Sequence, residues 1–462
     1  MTTFSGLGDI SKRINLSWFY PGISKFQDDL KGNQEKYFNF LNTPHEGSKP
    51  VLLYIHIPFC ESFCAYCACF KEPLGKYTHD DRSRFVDALL REMEMYAHSE
   101  YFSGLKINHI QFGGGTPSCL DNDLMEKIFA GIEKNFDLAP NRGVSFEGNV
   151  MTLKSVNKLQ HLKDLGVKRL SFGIQTFDEQ IRKELKIKAA SADIYETVDA
   201  IHSVGFPSFA IDLIYNLPNQ DLKLLENDLL KTCREIAPAF IQTYRFNQFY
   251  NTWLQKKIAG GYYANPPSAE KELLMFEFIM DFLAKQGYNN QVLINMFSNE
   301  PSPDLTGLEL SLGNNNPQGS YALGLGPGSM SFLGKRSYRT YCSIKDYVEA
   351  VEAHQFPVEA GNVCTEEVAE SRLMVFFPNF TRTALTNIPP KYQDAIGQLV
   401  REGYAAFEEN EVVLTKKGKL WAGDISFLFY TPDEKKKLQT SFYYSLKNKK
   451  NPFNQDDMNV SQ

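Results

Sequence analysis

Four of the eight cysteines in this 462-residue chain fall within ten residues, at Cys60, Cys64, Cys67 and Cys69. Thiolates at spacings x3 and x2 on one loop can each take one iron of a [4Fe–4S] cube, which four thiolates normally hold. With Cys60, Cys64 and Cys67 alone as protein ligands, one iron keeps an open position for a small molecule. A structural zinc site competes with this reading. Zinc wants four ligands, often two separated CxxC-like pairs, and no second pair follows downstream. Cys119, Cys233, Cys342 and Cys364 are scattered and read as packed thiols. Further along, the run Phe112-Gly-Gly-Gly115-Thr-Pro117 puts Gly114, Gly115 and Thr116 where bare backbone can approach a ligand closely. Glu147, Gln175 and Asp212 close three later strand-like runs and can hydrogen-bond a ligand there; each taken singly reads equally well as a solvating loop residue. His56, between two isoleucines, reads as a satisfied core histidine.

These residues need a scaffold that brings loop ends together. Short β-type runs alternate with helix-length segments of period three to four over residues 50–290. The strands expected are Val51–Ile57, Ile107–Phe112, Val144–Glu147, Arg169–Ile174, Phe209–Tyr215 and Phe240–Phe246. Strand-then-helix repetition implies a parallel sheet with helices outside it. Six units are two short of a closed barrel, so the expected fold is α/β, an open partial (β/α)6 barrel with its chemistry at the strand exits. Residues 1–50 read as an N-terminal extension centred on Trp18 to Pro21, and 51–290 as the partial-barrel domain. Residues 291–364 read as a Gly-rich connecting segment bordering the site, and 431–462 as a polar tail. Residues 365–430 read as a small, mostly helical, winged-helix-like unit, with a helix over Lys391–Tyr404 and a wing from Glu411–Leu414 and Lys417–Trp421.

Composition narrows the class. A formal charge of −6 leaves no global basic footprint, so no nucleic acid is expected as partner. No apolar run reaches the roughly 18 residues of a membrane span. The first twenty residues lack a signal-type apolar core, and the expected compartment is the cytoplasm. Clustered cysteines in a reducing compartment point to metal or redox chemistry rather than disulfides.

CxxxCxxC directly after the first strand, with Tyr66 before the third cysteine, resembles the radical S-adenosylmethionine (SAM) superfamily. The longer string Tyr54-Ile-His-Ile-Pro-Phe-Cys60 resembles, more narrowly, the oxygen-independent coproporphyrinogen III oxidase group. The resemblance implies a [4Fe–4S] cluster on Cys60, Cys64 and Cys67 whose open iron binds SAM. One-electron reduction then yields methionine and a 5′-deoxyadenosyl radical that takes hydrogen from the substrate, here by oxidative decarboxylation of propionates. It further implies SAM contacts from Gly114, Gly115, Thr116, Glu147, Gln175 and Asp212, with Tyr54 close to the cluster. Cys69 reproduces a fourth, catalytic cysteine of the group. The loop Ala322–Ser329 resembles a segment bordering the substrate or a second SAM. Two positions depart from the pattern: Val150 replaces a common Pro, and Ile187, flanked by Lys186 and Lys188, replaces an Arg that contacts SAM. The contact is thereby lost or taken over by a lysine. A tetrapyrrole substrate would want cations, for which Lys71, Lys76, Arg245 and Arg339 are candidates, and a reduced flavodoxin or ferredoxin would supply the electron. Two alternatives stand beside this: a two-SAM radical methyltransferase or cyclopropanase, and a non-catalytic haem-binding chaperone.

Overall fold

The computed structural model describes residues 7–10, 20, 28–29, 37–45, 47, 49–249, 252–300 and 321–436. Trp18, Phe19 and Pro21, the start of the Gly-rich loop at Gly313, and the tail beyond residue 436 lie outside the described residues. Tyr20 is buried, and its hydroxyl bonds Ser371 Oγ at 2.9 Å. Its ring meets Tyr430 edge-on at 4.7 Å, so this part of the extension packs onto the C-terminal unit.

Six parallel strands run side by side in chain order: β1 (Val51–Ile57), β2 (Ile107–Gly114), β3 (Leu138–Gly148), β4 (Arg169–Gln175), β5 (Ser208–Tyr215) and β6 (Phe240–Arg245). A helix follows each of the first five. The first, α1 (His79–Ala97), starts at a capping box in which Thr78 Oγ1 accepts from Asp81 N and Asp81 Oδ2 from Thr78 N. Its buried face, Phe85, Ala88, Leu89, Glu92, Met93 and Tyr96, follows the three-to-four spacing that lays a helix on a sheet.

The sheet does not stop at six strands. Asn290–Leu293 and Met296–Ser298 form a hairpin added antiparallel to β6. On the other side, β7 (Tyr321–Leu325) pairs parallel with β1, and three antiparallel strands (Met330–Leu333, Arg336–Thr340 and Val358–Val363) extend that edge. The described residues of the segment read from sequence as a connection thus contribute six strands to the sheet, with a helix over Ile344–Glu352. Runs of three to six residues broken by Gly and Asn give too little period-two signal to read as strands.

In the C-terminal unit, Glu411–Leu414 lies between Arg382–Ala384 and Ala405–Glu408. The wing is therefore Ala405–Glu408 with Glu411–Leu414, turned through Glu409 at φ 49°, and Lys417–Trp421 is no strand. Thr415 Oγ1 accepts from Gly418 N at 3.1 Å and caps a helix over Lys416–Leu420. The helix expected over Lys391–Tyr404 spans Gln393–Arg401. Among the described residues, no helix is long and apolar enough to cross a membrane.

Candidate active site

The cysteine loop leaves β1 and is closed at its base. Phe59–Cys60 pairs in parallel with Glu72–Pro73, and Glu72 N donates to Pro58 O at 2.6 Å. Its middle hangs on two later segments: Ala65 N donates to Leu185 O at 2.8 Å and Leu254 N donates to Ala65 O at 3.0 Å. Cys60 is buried, Cys64 and Cys67 are half-buried, and Cys69 is exposed. Among the described residues, no three His, Cys, Asp or Glu side chains are gathered as a single metal ion would need. One tetrahedral zinc requires sulfurs about 3.8 Å apart, from Zn–S bonds near 2.3 Å. A cube takes each thiolate on a different iron and so asks for a wider spread. Burial pushes the Cys64 thiol up to about 11 and Cys60 upward as well. The Cys69 thiol, hydrogen-bonded to the Cys67 sulfur, pulls Cys67 down and is itself held protonated. Iron binding must therefore displace protons, chiefly from Cys60 and Cys64.

The glycine turn after β2 is used by the chain itself. Gly115 N donates to Ile57 O at 2.9 Å and Thr116 N to Phe59 O at 2.8 Å, while Gly114 N bonds Glu147. Thr116 Oγ1 lies 3.4 Å from Cys60 Sγ. A Cβ on Gly113 would meet Glu147 Oε1 and Tyr54 Cε2 at 2.9 Å, and one on Gly115 would meet Phe59 O at 2.7 Å. With these N–H groups taken, the turn presents carbonyl oxygens, the polarity an ammonium group requires.

Below the loop, one face of the sheet is polar. β1 leaves only Tyr54 half-exposed, β5 only Ser208 and Asp212, and β4 alternates strictly. Lateral register lines up Tyr54 with Gln111, His56 with Gly113, Gly173 with Asp212, and Asp212 with Gln242. Gln111 Nε2 donates to Glu147 Oε1 at 3.4 Å, and Tyr244 OH to Gln242 Oε1 at 2.7 Å. Gln175 sits at φ 66° and folds its amide over Gly173, where a Cβ would meet Nε2. Tyr54, Glu147, Gln175 and Asp212 thus share one wall. His56 belongs to the same wall, as do Gln111, Gln242 and Tyr244, which sequence does not single out: only lateral register across strands aligns them with Tyr54 and Asp212. His56 Nε2 lies 3.2 Å from Phe70 O, and a carbonyl only accepts, so the proton is on Nε2. Nδ1 then accepts from Tyr54 OH at 3.3 Å. Burial lowers His56 to about 4, which keeps it neutral. It is a satisfied core histidine that ties β1 to the residue after Cys69.

Three sequence candidates go elsewhere. Lys186 is exposed and its ammonium rests 3.7 Å from the centre of the Trp253 ring. Ile187 joins an apolar cluster with Tyr66 and Trp253. Arg339 is buried against Glu359. Lys71 donates to Cys67 O at 2.9 Å and Cys69 O at 3.2 Å, bracing the loop.

The loop carrying Gly326 and Gly328, both at positive φ, lies against this same corner. A Cβ on Gly326 would meet His56 O at 2.5 Å, and one on Gly328 would meet Phe70 Cδ1 at 2.9 Å. Glu92 of α1 clamps it: Oε2 accepts from Gly326 N at 2.9 Å and Tyr347 OH at 2.5 Å. Burial pushes the Glu92 carboxyl from 4.5 up to about 7. The folded chain holds that proton where the unfolded chain releases it, so the stability it contributes is full below pH 4.5 and lost as pH rises through about 7. Glu92→Gln keeps the acceptor and removes the charge. Its stability relative to the parent should rise by about 3 kcal/mol between pH 4.5 and 8 in urea titrations. A pH-independent difference would contradict the clamp's protonation.

The resemblance requires SAM and a cluster, and the wall tests the fit. Glu147 and Asp212 are both pushed up to about 7, first by burial, and Asp212 further by the Glu147 charge. No basic side chain offsets either one, and Asp212 Oδ1 has no partner among the described residues. Two carboxyls so placed call for a cationic ligand, and SAM carries both a sulfonium and an ammonium. The residues fit.

Comparison with known proteins agrees. Residues 54–229 match the model of the radical SAM superfamily. The chain is 30% identical over 353 residues to an oxygen-independent coproporphyrinogen III oxidase of Synechocystis sp., spanning 74% of this chain and 72% of the relative. It is 25% identical over 377 residues to the heme chaperone HemW of Lactococcus lactis, spanning 80% and 94% respectively. The solved coproporphyrinogen III oxidase HemN of Escherichia coli superposes at a TM-score of 0.73, with 22% identity, covering 91% of this chain and all of that one, and so shares the fold. The superfamily match brings a [4Fe–4S] cluster and SAM as cofactors. On identity and coverage together, the chain belongs to the radical SAM superfamily, among the oxygen-independent coproporphyrinogen III oxidases and their relatives.

Proposed function

We propose that the protein takes hydrogen from a tetrapyrrole propionate and so drives its oxidative decarboxylation; the name of its relative, an oxygen-independent coproporphyrinogen III oxidase, supports oxidation of a tetrapyrrole. The observation that carries this reading is the wall beneath the cysteine loop, where Glu147 and Asp212 stand two strands apart on one face of the sheet and no basic side chain offsets either carboxyl. When bound, SAM and the cluster supply one-electron cleavage of the sulfonium to a carbon radical. The chain's own part is placement. Cys60, Cys64 and Cys67 hold iron on a loop pinned at Leu185 and Leu254. Carbonyls of the Gly114–Thr116 turn and the carboxyls of Glu147 and Asp212 receive the cationic groups of SAM, Gln175 folds over Gly173 of its own strand, and Tyr54 closes the side next to His56. Cys69, exposed beside Cys67, is the thiol offered to the substrate. A low-potential carrier such as flavodoxin or ferredoxin provides the electron.

Anaerobic reconstitution with iron, sulfide, SAM and dithionite tests the reading. Mass spectrometry should show 5′-deoxyadenosine and methionine, and added coproporphyrinogen III should lose carbon dioxide. S-adenosylhomocysteine as the main product would replace this reading by methyl transfer. Stoichiometric haem binding without 5′-deoxyadenosine would replace it by a chaperone.

A further inference from the structure

The chain is acidic overall, at −6, yet its surface around the cysteine loop is basic. Three segments meet there through the hydrogen bonds of Ala65 to Leu185 and Leu254: residues 61–71, 182–188 and 252–261. Together they carry seven Lys and Arg against two Glu. Arg182 is buried; the other six are Lys71, Lys183, Lys186, Lys188, Lys256 and Lys257. Among the described residues, none of the six lies in ion-pair range of a carboxylate.

Aromatic rings hold several of these ammonium groups in place. Lys186 and Lys257 lie 3.7 and 5.6 Å from the centre of the Trp253 ring, and Lys257 is 4.4 Å from that of Tyr262. Lys71 lies 5.5 Å from the centre of the Phe63 ring, inside the cysteine loop itself. Phe63 is 45% exposed and Tyr262 74% exposed, large apolar surfaces set among fixed positive charges. Unpaired cations around exposed aromatics are the pattern of a protein-docking face: charge steers the encounter, and buried aromatics supply the affinity.

We propose that this lysine–aromatic face docks an acidic one-electron carrier protein that reduces the iron–sulfur site. The inference rests on the cluster reading above and adds the surface through which the electron arrives. The carrier loses one electron to the site and no atom changes hands. The face sits over the loop that holds the iron, so a docked carrier is brought close without opening the barrel to solvent.

The test uses the cluster-loaded full chain and the triple variant Lys183→Glu/Lys256→Glu/Lys257→Glu, with a flavodoxin as the probe. Binding of oxidised flavodoxin, measured by calorimetry, should weaken with salt in the parent and by about tenfold or more in the variant. 5′-Deoxyadenosine formation with reduced flavodoxin should fall in step, while the rate with dithionite stays within about twofold. If the triple variant melts early, Lys183→Gln/Lys256→Gln/Lys257→Gln serves in its place. Unchanged flavodoxin affinity overturns the proposal. Equal losses with flavodoxin and dithionite also overturn it and give the lysines to the substrate. A parent that fails to cleave SAM even with dithionite refutes the underlying catalytic reading instead, and calorimetry still decides the docking face.

Discussion

Replacing Cys60, Cys64 or Cys67 by Ala should remove iron and SAM cleavage together, whereas Cys69→Ala should keep the iron and lose product. The loop predicts this split. Cys60 is buried beside Thr116, and Cys64 and Cys67 flank Ala65, whose amide and carbonyl are both bonded to other segments. These three thiols are thus held by backbone pinned on both sides, the preorganisation a cluster needs. Cys69 is exposed, beyond the Ala65 anchor, with its carbonyl braced by Lys71 and the next residue, Phe70, held by His56. Removing one of three thiolates leaves an iron without a protein ligand, and bound iron should fall about tenfold or more after anaerobic reconstitution. For Cys69→Ala, iron and sulfide should match the parent, 5′-deoxyadenosine should still form, and tetrapyrrole turnover should drop by about a hundredfold, within the range general-acid groups supply. Equal iron loss in all four variants would refute the three-plus-one assignment.

Much of this site is legible in the sequence because its residues sit at strand ends. β1 begins and ends where its apolar run does, and the cysteines follow it at once. Glu147 and Asp212 interrupt apolar runs, so they stand out as single letters. The rest is hidden for identifiable reasons. Gln111, Gln242 and Tyr244 are single polar letters set among buried neighbours in their strands, and a polar barrel interior looks in sequence like a weakened strand rather than a wall. Whether Glu147 and Asp212 face a cation depends on side chains from six strands, which no local pattern records. Lys186 and Lys188 flank a position where the family carries Arg, and sequence offers them as substitutes. The Trp253 ring, nearly seventy residues away, is what the Lys186 ammonium rests on, a contact no local pattern records. The helix at Lys416–Leu420 is hidden because its five residues hold one apolar side chain, Leu420, too few to show a helical period; Thr415, read as a cap, is the letter that identifies it.

Arg182→Met should destabilise the fold by about 3–5 kcal/mol and weaken SAM binding, although Arg182 touches neither cofactor nor cluster. Its guanidinium, 1% exposed, donates to Ile174 O at 2.7 Å, Thr176 O at 2.8 Å and Ala189 O at 2.6 Å. Those first two carbonyls bracket Gln175, a non-glycine residue at φ 66° that costs about 1–2 kcal/mol to hold there. Arg182 therefore fixes the peptide on both sides of the strained position and directs Gln175 over Gly173. Methionine fills most of the volume and supplies no donor. Ile174 O keeps a bond from Thr176 N at 2.8 Å, while Thr176 O and Ala189 O lose the guanidinium. A double-mutant cycle separates positioning from general damage. Gln175→Gly relieves the backbone strain, so Arg182→Met should cost at least about 1 kcal/mol less in that background, read as urea midpoints at constant m. Arg182→Lys should fall between, since one ammonium can satisfy part of the set but not the fork. Strict additivity across the cycle would mean that Arg182 stabilises the fold without holding Gln175, and SAM affinity in Arg182→Met should then equal that of the parent.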